Sequence, residues 1–131
     1  MVENALLEYR MENINPILRV ENMSRSLAFY VDILGFTNAE WGDHAFTNVR
    51  KDRCSIYLCQ GAQGQAGTWV WMGFAGDIHR LHQQLMERGV AIRMEPRNFP
   101  WAYEMHVLDP DGHVLRFGTD PKEEEPYAQS F

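Results

Sequence analysis

Residues 14–60 and residues 68–118 share one order of predicted secondary structure, and this internal repeat restricts the possible folds more than any other feature. A shift of 54 residues aligns Leu27 with Leu81, so that the apolar stripes of two helices and the glycines that follow them coincide. Each segment has the pattern of a strand, a helix and three further strands, a βαβββ unit. Because one unit alone leaves a sheet face exposed, the sequence predicts an α+β fold of two tandem units that form a curved mixed sheet with helices on its outer face.

Capping residues and turn residues set the predicted boundaries. Asn22 is a favourable helix N-cap, and Gly35 and Gly89 are favourable helix stops. Pro16 cannot donate to a strand ladder, which predicts either a sheet edge or the start of a strand at this position. The predicted segments are a leader at 1–12, the first unit at 13–60, a Gly-rich linker at 61–67, the second unit at 68–118 and an acidic tail at 119–131. The predicted strands are 14–20, 36–41, 44–50, 54–60, 68–74, 90–95, 102–108 and 113–118, and the predicted helices are 23–34 and 77–88.

Length and charge exclude several classes of function. A chain of 131 residues is expected to form one domain, and its formal net charge of −6 argues against general nucleic-acid binding. No apolar run reaches the roughly 20 residues that a membrane span requires, and the N-terminus has no signal-peptide pattern. Cys54 and Cys59 lie on one predicted strand about 16 Å apart, beyond the limit of about 7 Å for a disulfide. A reducing, cytoplasmic location is therefore predicted.

The second unit ends in a predicted hairpin whose last strand carries an arginine among apolar residues. Pro110 and Gly112 favour a tight turn, and Leu115 and Phe117 alternate with Arg116 after it. If the two apolar side chains face the core, the arginine must face the other side of the sheet. That side needs water, a partner or a ligand, because a buried unpaired arginine is very costly. The hairpin thus indicates a sheet with one dry side and one side accessible to ligands.

Four segments resemble the vicinal oxygen chelate superfamily, which includes glyoxalase I, extradiol dioxygenases and bleomycin-resistance proteins. These segments are Leu18-Arg19-Val20, Ser24-Arg25-Ser26-Leu27-Ala28-Phe29-Tyr30, Leu34-Gly35-Phe36 and Asp109-Pro110-Asp111-Gly112-His113-Val114-Leu115-Arg116-Phe117. The resemblance spans residues 14–118 and implies the paired βαβββ fold. It says much less about activity, because this fold supports many chemistries.

The resemblance also implies where a metal would bind. Members that use a metal carry His or Glu at four positions, which correspond here to Asn15, Tyr57, Trp69 and Arg116. None of these is an ordinary metal ligand, and an arginine would repel a divalent cation. The chain therefore resembles the metal-free, bleomycin-resistance-type branch, whose members are small homodimers with a ligand groove. This implies a protein without cofactor that sequesters an aromatic or heterocyclic, toxic compound.

Aromatic residues supply most candidates for such a groove. Trp69 and Trp71 share one face of a predicted strand, either as core residues or as groove residues facing away from Val70 and Met72. Arg116 is either paired with Glu104 or free to bind an anionic or carbonyl group of a ligand. The predicted ligand-binding residues are Asn15, Trp41, Phe46, Tyr57, Trp69, Trp71, Trp101, Glu104, His106 and Arg116.

Two other functions remain open from the sequence. One is a metal-dependent lyase, isomerase or oxygenase whose displaced ligands include His106 and Glu104. The other is a partner-binding module that uses the acidic tail. His79 and His82 have the spacing of a metal pair but lack a third ligand, and His113 is expected to be exposed at the hairpin exit. No Gly-rich phosphate loop and no Ser or Cys nucleophile motif is present.

Overall fold

The computed structural model describes residues 6–131 and divides the strands equally between two four-stranded mixed sheets. The first unit comprises β1 (Ile17–Arg19), α1 (Met23–Leu27) with a π-helical continuation (Ala28–Ile33), β2 (Thr37–Asn38), β3 (Phe46–Lys51) and β4 (Cys54–Cys59). The second comprises β5 (Trp69–Gly73), α2 (Ile78–Glu87), β6 (Ala91–Asn98), β7 (Tyr103–Leu108) and β8 (Val114–Thr119). The sheet orders are β1-β4-β3-β2 and β5-β8-β7-β6. The predicted α+β fold of two tandem βαβββ units is confirmed. The predicted leader, 1–12, begins outside the described residues.

The helix ends follow the capping residues. The Asn22 side chain accepts a hydrogen bond from the backbone N–H of Arg25 at 3.0 Å, as its predicted role as N-cap requires. Gly35 and Gly89 follow the two helices with φ angles of +83° and +77°, a conformation that glycine adopts without steric cost. No helix within residues 6–131 is long and apolar enough to cross a membrane.

The edge strands are shorter than predicted. β1 begins after Pro16, which cannot contribute an N–H to the ladder, and β2 ends at Asn38. After β2 the chain turns, with the N–H of Gly42 donating to the carbonyl of Ala39 at 3.1 Å. The predicted strand 36–41 was therefore too long, because its second half forms this turn.

The two sheets have matching registers. In the first sheet Ile17 of β1 lies opposite Tyr57 of β4, and in the second Trp71 of β5 lies opposite Arg116 of β8, both in parallel pairs. Ile17 and Trp71 are related by the same 54-residue shift that aligns the helices. Tyr57 and Arg116 consequently occupy equivalent places in the two units.

One apolar cluster formed by both units is the core, and each sheet contributes alternate residues to it. In the first sheet Leu18, Val49 and Leu58 are fully buried, and in the second Met105 and Leu115 are. Because side chains alternate along a strand, the neighbours of these residues face the other way. We call these the first open face, which carries Phe46, Asn48, Arg50, Ser55 and Tyr57, and the second open face, which carries Trp69, Trp71, Glu104, His106 and Arg116.

The hairpin turn of the second unit joins it to the helix of the first. The Tyr30 hydroxyl donates to the Asp109 carboxylate at 2.7 Å, and Arg25 donates to Asp111 at 3.1 Å. Asp109 also accepts the backbone N–H of Asp111 at 2.9 Å, which fixes the turn. Burial, followed by the nearby Asp109 charge, raises the pKa of Tyr30 and keeps its hydroxyl protonated as a donor.

His113 belongs to the same contact between the two units, and the prediction that it is exposed is wrong. Its side chain is fully buried. The backbone N–H of Thr68 donates to its Nδ1 at 2.9 Å, and its Nε2 donates to the carbonyl of Arg19 at 2.7 Å. The imidazole satisfies two backbone groups from different units, which outweighs the cost of removing the ring from water.

Candidate functional site

The second open face presents the tryptophans of β5. Trp69 and Trp71 are half-exposed, whereas Val70 and Met72, which alternate with them along β5, pack against the core. Of the two interpretations of this pair, core packing is therefore wrong. The rings remain in place because side chains of β7 and β8 lie directly beside them, as the parallel pairing of β5 with β8 dictates.

Glu104 lies beneath these rings and is the centre of a hydrogen-bond network. Arg116 donates to both carboxylate oxygens through Nε and Nη2, each at 2.9 Å. Trp101 Nε1 donates to one of these oxygens at 2.6 Å and His106 Nε2 to the other at 2.9 Å. Burial opposes ionisation of this carboxyl, but the hydrogen bonds from Arg116, Trp101 and His106 outweigh it and lower the pKa of Glu104.

The network also fixes the protonation of His106. Arg93 Nη1 lies 3.0 Å from Nδ1 of this ring, and an arginine can only donate. Nδ1 must therefore accept, and the single ring proton sits on Nε2, which donates to Glu104. Burial lowers the pKa of His106, in spite of the adjacent carboxylate, and the ring is neutral. Both imidazole nitrogens are thus engaged within the protein.

Cations and rings alternate across this face. The Arg116 guanidinium lies 5.2 Å from the centre of the Trp71 ring, and that of Arg93 lies 4.7 Å from the centre of the Trp69 ring. Arg116 is neutralised by Glu104, but no carboxylate within residues 6–131 lies in salt-bridge distance of Arg93. Arg97, which lies opposite Glu104 in β6, also has no carboxylate partner among the described residues, so this face has two positive charges without a counter-charge.

The segment 121–131 folds back over the same face. Asn98 holds it by donating to the carbonyl of Lys122 and by accepting the N–H of Ala128, both at 2.7 Å. Phe131 then reaches the network, with its ring centre 4.8 Å from that of His106. Together with the tryptophans it shields Glu104 and His106 from solvent, so that both are fully buried.

The first open face is different, because it contains a cavity of about 320 Å³. Phe46 stacks between Trp41 and Tyr57, with ring centres 6.3 Å and 5.4 Å away, and forms an aromatic ladder. Residues that line the cavity include Asn13, Asn15, Asn38, Asn48, Arg50 and Tyr57. Asn15 is held in place because its Nδ2 donates to the Ser55 carbonyl at 3.0 Å and to the Ser55 hydroxyl at 2.8 Å.

The structure divides the predicted site residues between the two faces. Asn15, Trp41, Phe46 and Tyr57 lie on the first, and Trp69, Trp71, Trp101, Glu104, His106 and Arg116 lie on the second. Among the described residues, no hydrogen bond and no ring contact joins the two groups.

Three residues important to these faces were not predicted. Arg93 was detectable only in part, since Val90 and Ile92 alternate towards the core, but an irregularity in β6 then places Met94 opposite His106. Asn48 alternates in the same way with Val49. Phe131 had no detectable signal, because it lies in a segment without periodicity.

The four positions that correspond to metal ligands are also split between the faces, two on each. No group of three His, Cys, Asp or Glu side chains that could hold a metal ion occurs in the described part of the chain. Glu104 and His106 are the displaced metal ligands considered from the sequence. Their acceptor atoms already accept hydrogen bonds from Arg116, Trp101 and Arg93 and, for Glu104, from His106.

Comparisons with known proteins agree with this architecture. The family described as the Glyoxalase/Bleomycin resistance protein/Dioxygenase superfamily matches residues 11–117. No curated protein matches the chain significantly.

Many solved structures share the fold. An antibiotic-binding protein, TnmS3, from Streptomyces sp. CB03234 is 22% identical with a TM-score of 0.74, and the match covers 88% of this chain and all of that one. A lactoylglutathione lyase from Agrobacterium tumefaciens is 13% identical with a TM-score of 0.70, covering 84% and 95%. A virulence protein from Salmonella typhimurium is 16% identical with a TM-score of 0.71, covering 86% and 99%. At these identities the likeness concerns the fold alone.

Proposed function

Because the chain belongs to the Glyoxalase/Bleomycin resistance protein/Dioxygenase superfamily, we propose that it is a small-molecule binding protein of the bleomycin-resistance type. It takes up an aromatic or heterocyclic compound without a metal ion and sequesters it. The antibiotic-binding neighbour supports a ligand of this kind. The two unpaired cysteines suit a reducing compartment, and we place the protein in the cytoplasm.

The exposure of every tryptophan carries this proposal. All four are between 47% and 63% exposed, and each lies on or beside an open face. Large aromatic rings are usually buried, and a cluster of exposed ones marks a surface that binds something apolar. On the second open face the rings lie beside the free charge of Arg93, a combination that suits a flat ligand with an anionic substituent.

We further propose that the protein is a homodimer in which the open faces of two copies enclose the ligand. The predicted site residues lie on separate faces of one chain, so that a complete groove requires a second copy. Ile14 is largely exposed and Ile17 lies on the edge strand β1, whose free backbone groups favour association. Light scattering should give twice the mass of the chain, and a monomer at micromolar concentration would refute the dimer.

A metal-dependent reaction is the weaker alternative, although one structural neighbour is a lyase. A metal at Glu104 and His106 would have to replace the hydrogen bonds from Arg116, Trp101 and Arg93 and would meet two guanidinium groups. The acidic tail is a weaker partner surface than the sequence suggested, because Glu125 accepts the Tyr103 hydroxyl at 2.9 Å within the chain.

Isothermal titration calorimetry with 2-naphthalenesulfonate and neutral 2-naphthol tests the proposal. We expect both to bind, the sulfonate more tightly, with the same affinity before and after treatment with EDTA. Arg93→Gln should remove the preference for the sulfonate, whereas Gln83→Ala on the outer helix should not. Failure of both compounds to bind, or binding that requires one particular metal, would overturn the proposal.

A further inference from the structure

The cavity of the first open face has a lining of unusual composition. Four asparagines, Asn13, Asn15, Asn38 and Asn48, provide amide groups, and no acidic side chain is among its lining residues. Arg50 is its one charged residue and lies exposed at the side of the cavity. Amides both donate and accept hydrogen bonds, so the cavity is suited to uncharged polar groups, whereas a cation would find no counter-charge.

Asn48 supplies an unpaired amide to this cavity. Its residue is only 9% exposed, yet its side-chain amide makes no hydrogen bond with any described residue. No buried side-chain nitrogen or oxygen atom of the described residues lacks a partner, so the unpaired amide atoms of Asn48 are open to the cavity, where a ligand can reach them. Asn15 adds a second open group, because its Nδ2 is held by Ser55 while its Oδ1 accepts no bond from the described residues.

An aromatic wall lies beside these amides. Tyr57 lines the cavity directly opposite Asn48 in the β3–β4 pairing, and Phe46 and Trp41 continue the stack outward. A flat ring next to unpaired amides fits a saturated ring that has C–H groups on its face and hydroxyls on its edge. A volume of about 320 Å³ is sufficient for one ring of six atoms with its substituents.

We propose that this cavity binds an uncharged, hydroxyl-rich ring of the sugar type, with Asn48 and Asn15 as hydrogen-bonding residues and Tyr57 as the stacking surface. This inference rests on the proposed function, because it assumes that the ligand has two parts. The sugar-type ring is the polar part, and the aromatic part of the same ligand contacts the second open face. The two parts bind to different faces, so they can be tested separately.

The test follows side-chain amide signals in ¹⁵N-labelled protein by NMR. The probes are the methyl glycosides of glucose, galactose, mannose and N-acetylglucosamine, with benzoate as an anionic control. The Asn48 signals are identified by their loss in Asn48→Leu. We expect at least one glycoside to shift them at millimolar concentration and benzoate to leave them unchanged.

Thermal melting of Asn48→Leu supplies a second readout that needs no ligand. Because the Asn48 amide is open to the cavity, this variant should melt close to the wild-type temperature, while the glycoside-induced shift of the Asn15 side-chain signals falls at least tenfold. Asn98→Leu is the matched control, since Asn98 is equally buried but fully hydrogen-bonded, and it should melt lower.

Three results would overturn this inference. They are a fall in the melting temperature of Asn48→Leu as large as that of Asn98→Leu, the absence of any Asn48 shift with all four glycosides, and a larger shift with benzoate than with any glycoside. Loss of naphthalenesulfonate binding with retention of the glycoside shift would instead refute only the proposal for the second open face.

Discussion

The two open faces have the same backbone register but opposite side-chain chemistry. In the second sheet His106 lies opposite Arg116, and both bind Glu104 in a network whose polar groups satisfy one another. At the equivalent pair in the first sheet, Asn48 lies opposite Tyr57, and neither side chain makes a hydrogen bond with the described residues. One face is thus closed by its own side chains and by Phe131, whereas the other keeps a cavity.

The difference follows from the cost of burying charge. A buried carboxylate such as Glu104 requires several donors, and these must come from the protein if the site is to be stable without ligand. An asparagine amide is less costly to leave unpaired, so it can be kept available for a ligand. The two units therefore differ in structure: the second holds an ionic network beside its aromatic rings, and the first leaves a polar cavity open.

The largest expected effect is on the stability that the hydrogen-bond network around Glu104 provides. Arg116→Met keeps the apolar stem but leaves Glu104 buried without its bidentate partner, and we expect a loss of about 3 kcal/mol in the free energy of unfolding. Tyr57→Phe, at the equivalent position of the first sheet, should change stability by less than about 0.5 kcal/mol. Urea denaturation of both variants measures the contrast. Equal losses would show that the two faces are energetically alike.

A smaller effect concerns the aromatic surface. Trp69→Ala should weaken binding of 2-naphthalenesulfonate about tenfold to a hundredfold, because it removes a stacking contact of about 1–3 kcal/mol. Its stability should fall by less than the roughly 3–5 kcal/mol of a core tryptophan, since the ring is half-exposed. Met86→Ala, at an exposed position of the outer helix α2, is the control for calorimetry. Unchanged affinity with a severely destabilised fold would assign Trp69 to the scaffold.

The smallest expected effect is the response of the second face to acid. The pKa of His106 lies below its ordinary value of 6.5, so the unfolded chain binds this proton more readily than the folded protein does. Stability should therefore fall as the pH drops below about 6.5, and fall further below about 4.5 as Glu104, whose pKa is also lowered, becomes protonated in the unfolded chain. His106→Gln should abolish the first decrease in melting temperature and keep the second. A melting temperature that is constant from pH 7 to pH 5 would contradict this assignment.

Much of the fold could be predicted because it depends on local and periodic signals. The Asn22 cap, the glycines after the helices and the alternation of Leu115 with Arg116 each act over a few residues. The repeat then determined which strands are equivalent, and the matching registers of Ile17 with Tyr57 and Trp71 with Arg116 confirm it. These features follow from backbone geometry, which neighbouring residues largely determine.

The site depended on contacts between residues far apart in the chain. The sequence offered Arg116 two roles, and the structure shows that it is paired with Glu104, 12 positions away. It gave no indication that Phe131 would cover His106, nor that His113 would bridge Thr68 and Arg19.

By itself, the sequence determined the duplicated βαβββ unit and the residues such as Trp69, Trp71 and Arg116 that face away from the core, because hydrophobic periodicity and helix capping depend on neighbouring residues in the chain. Only the tertiary structure decided which of those outward residues meet. Partnership between charged groups depends on distances of a few ångströms across strands and segments, which composition and spacing do not specify. For that reason Arg116 has a carboxylate partner while Arg93 has none among the described residues, and the side chain of Asn48 is unpaired where that of His106 is hydrogen-bonded at both nitrogens.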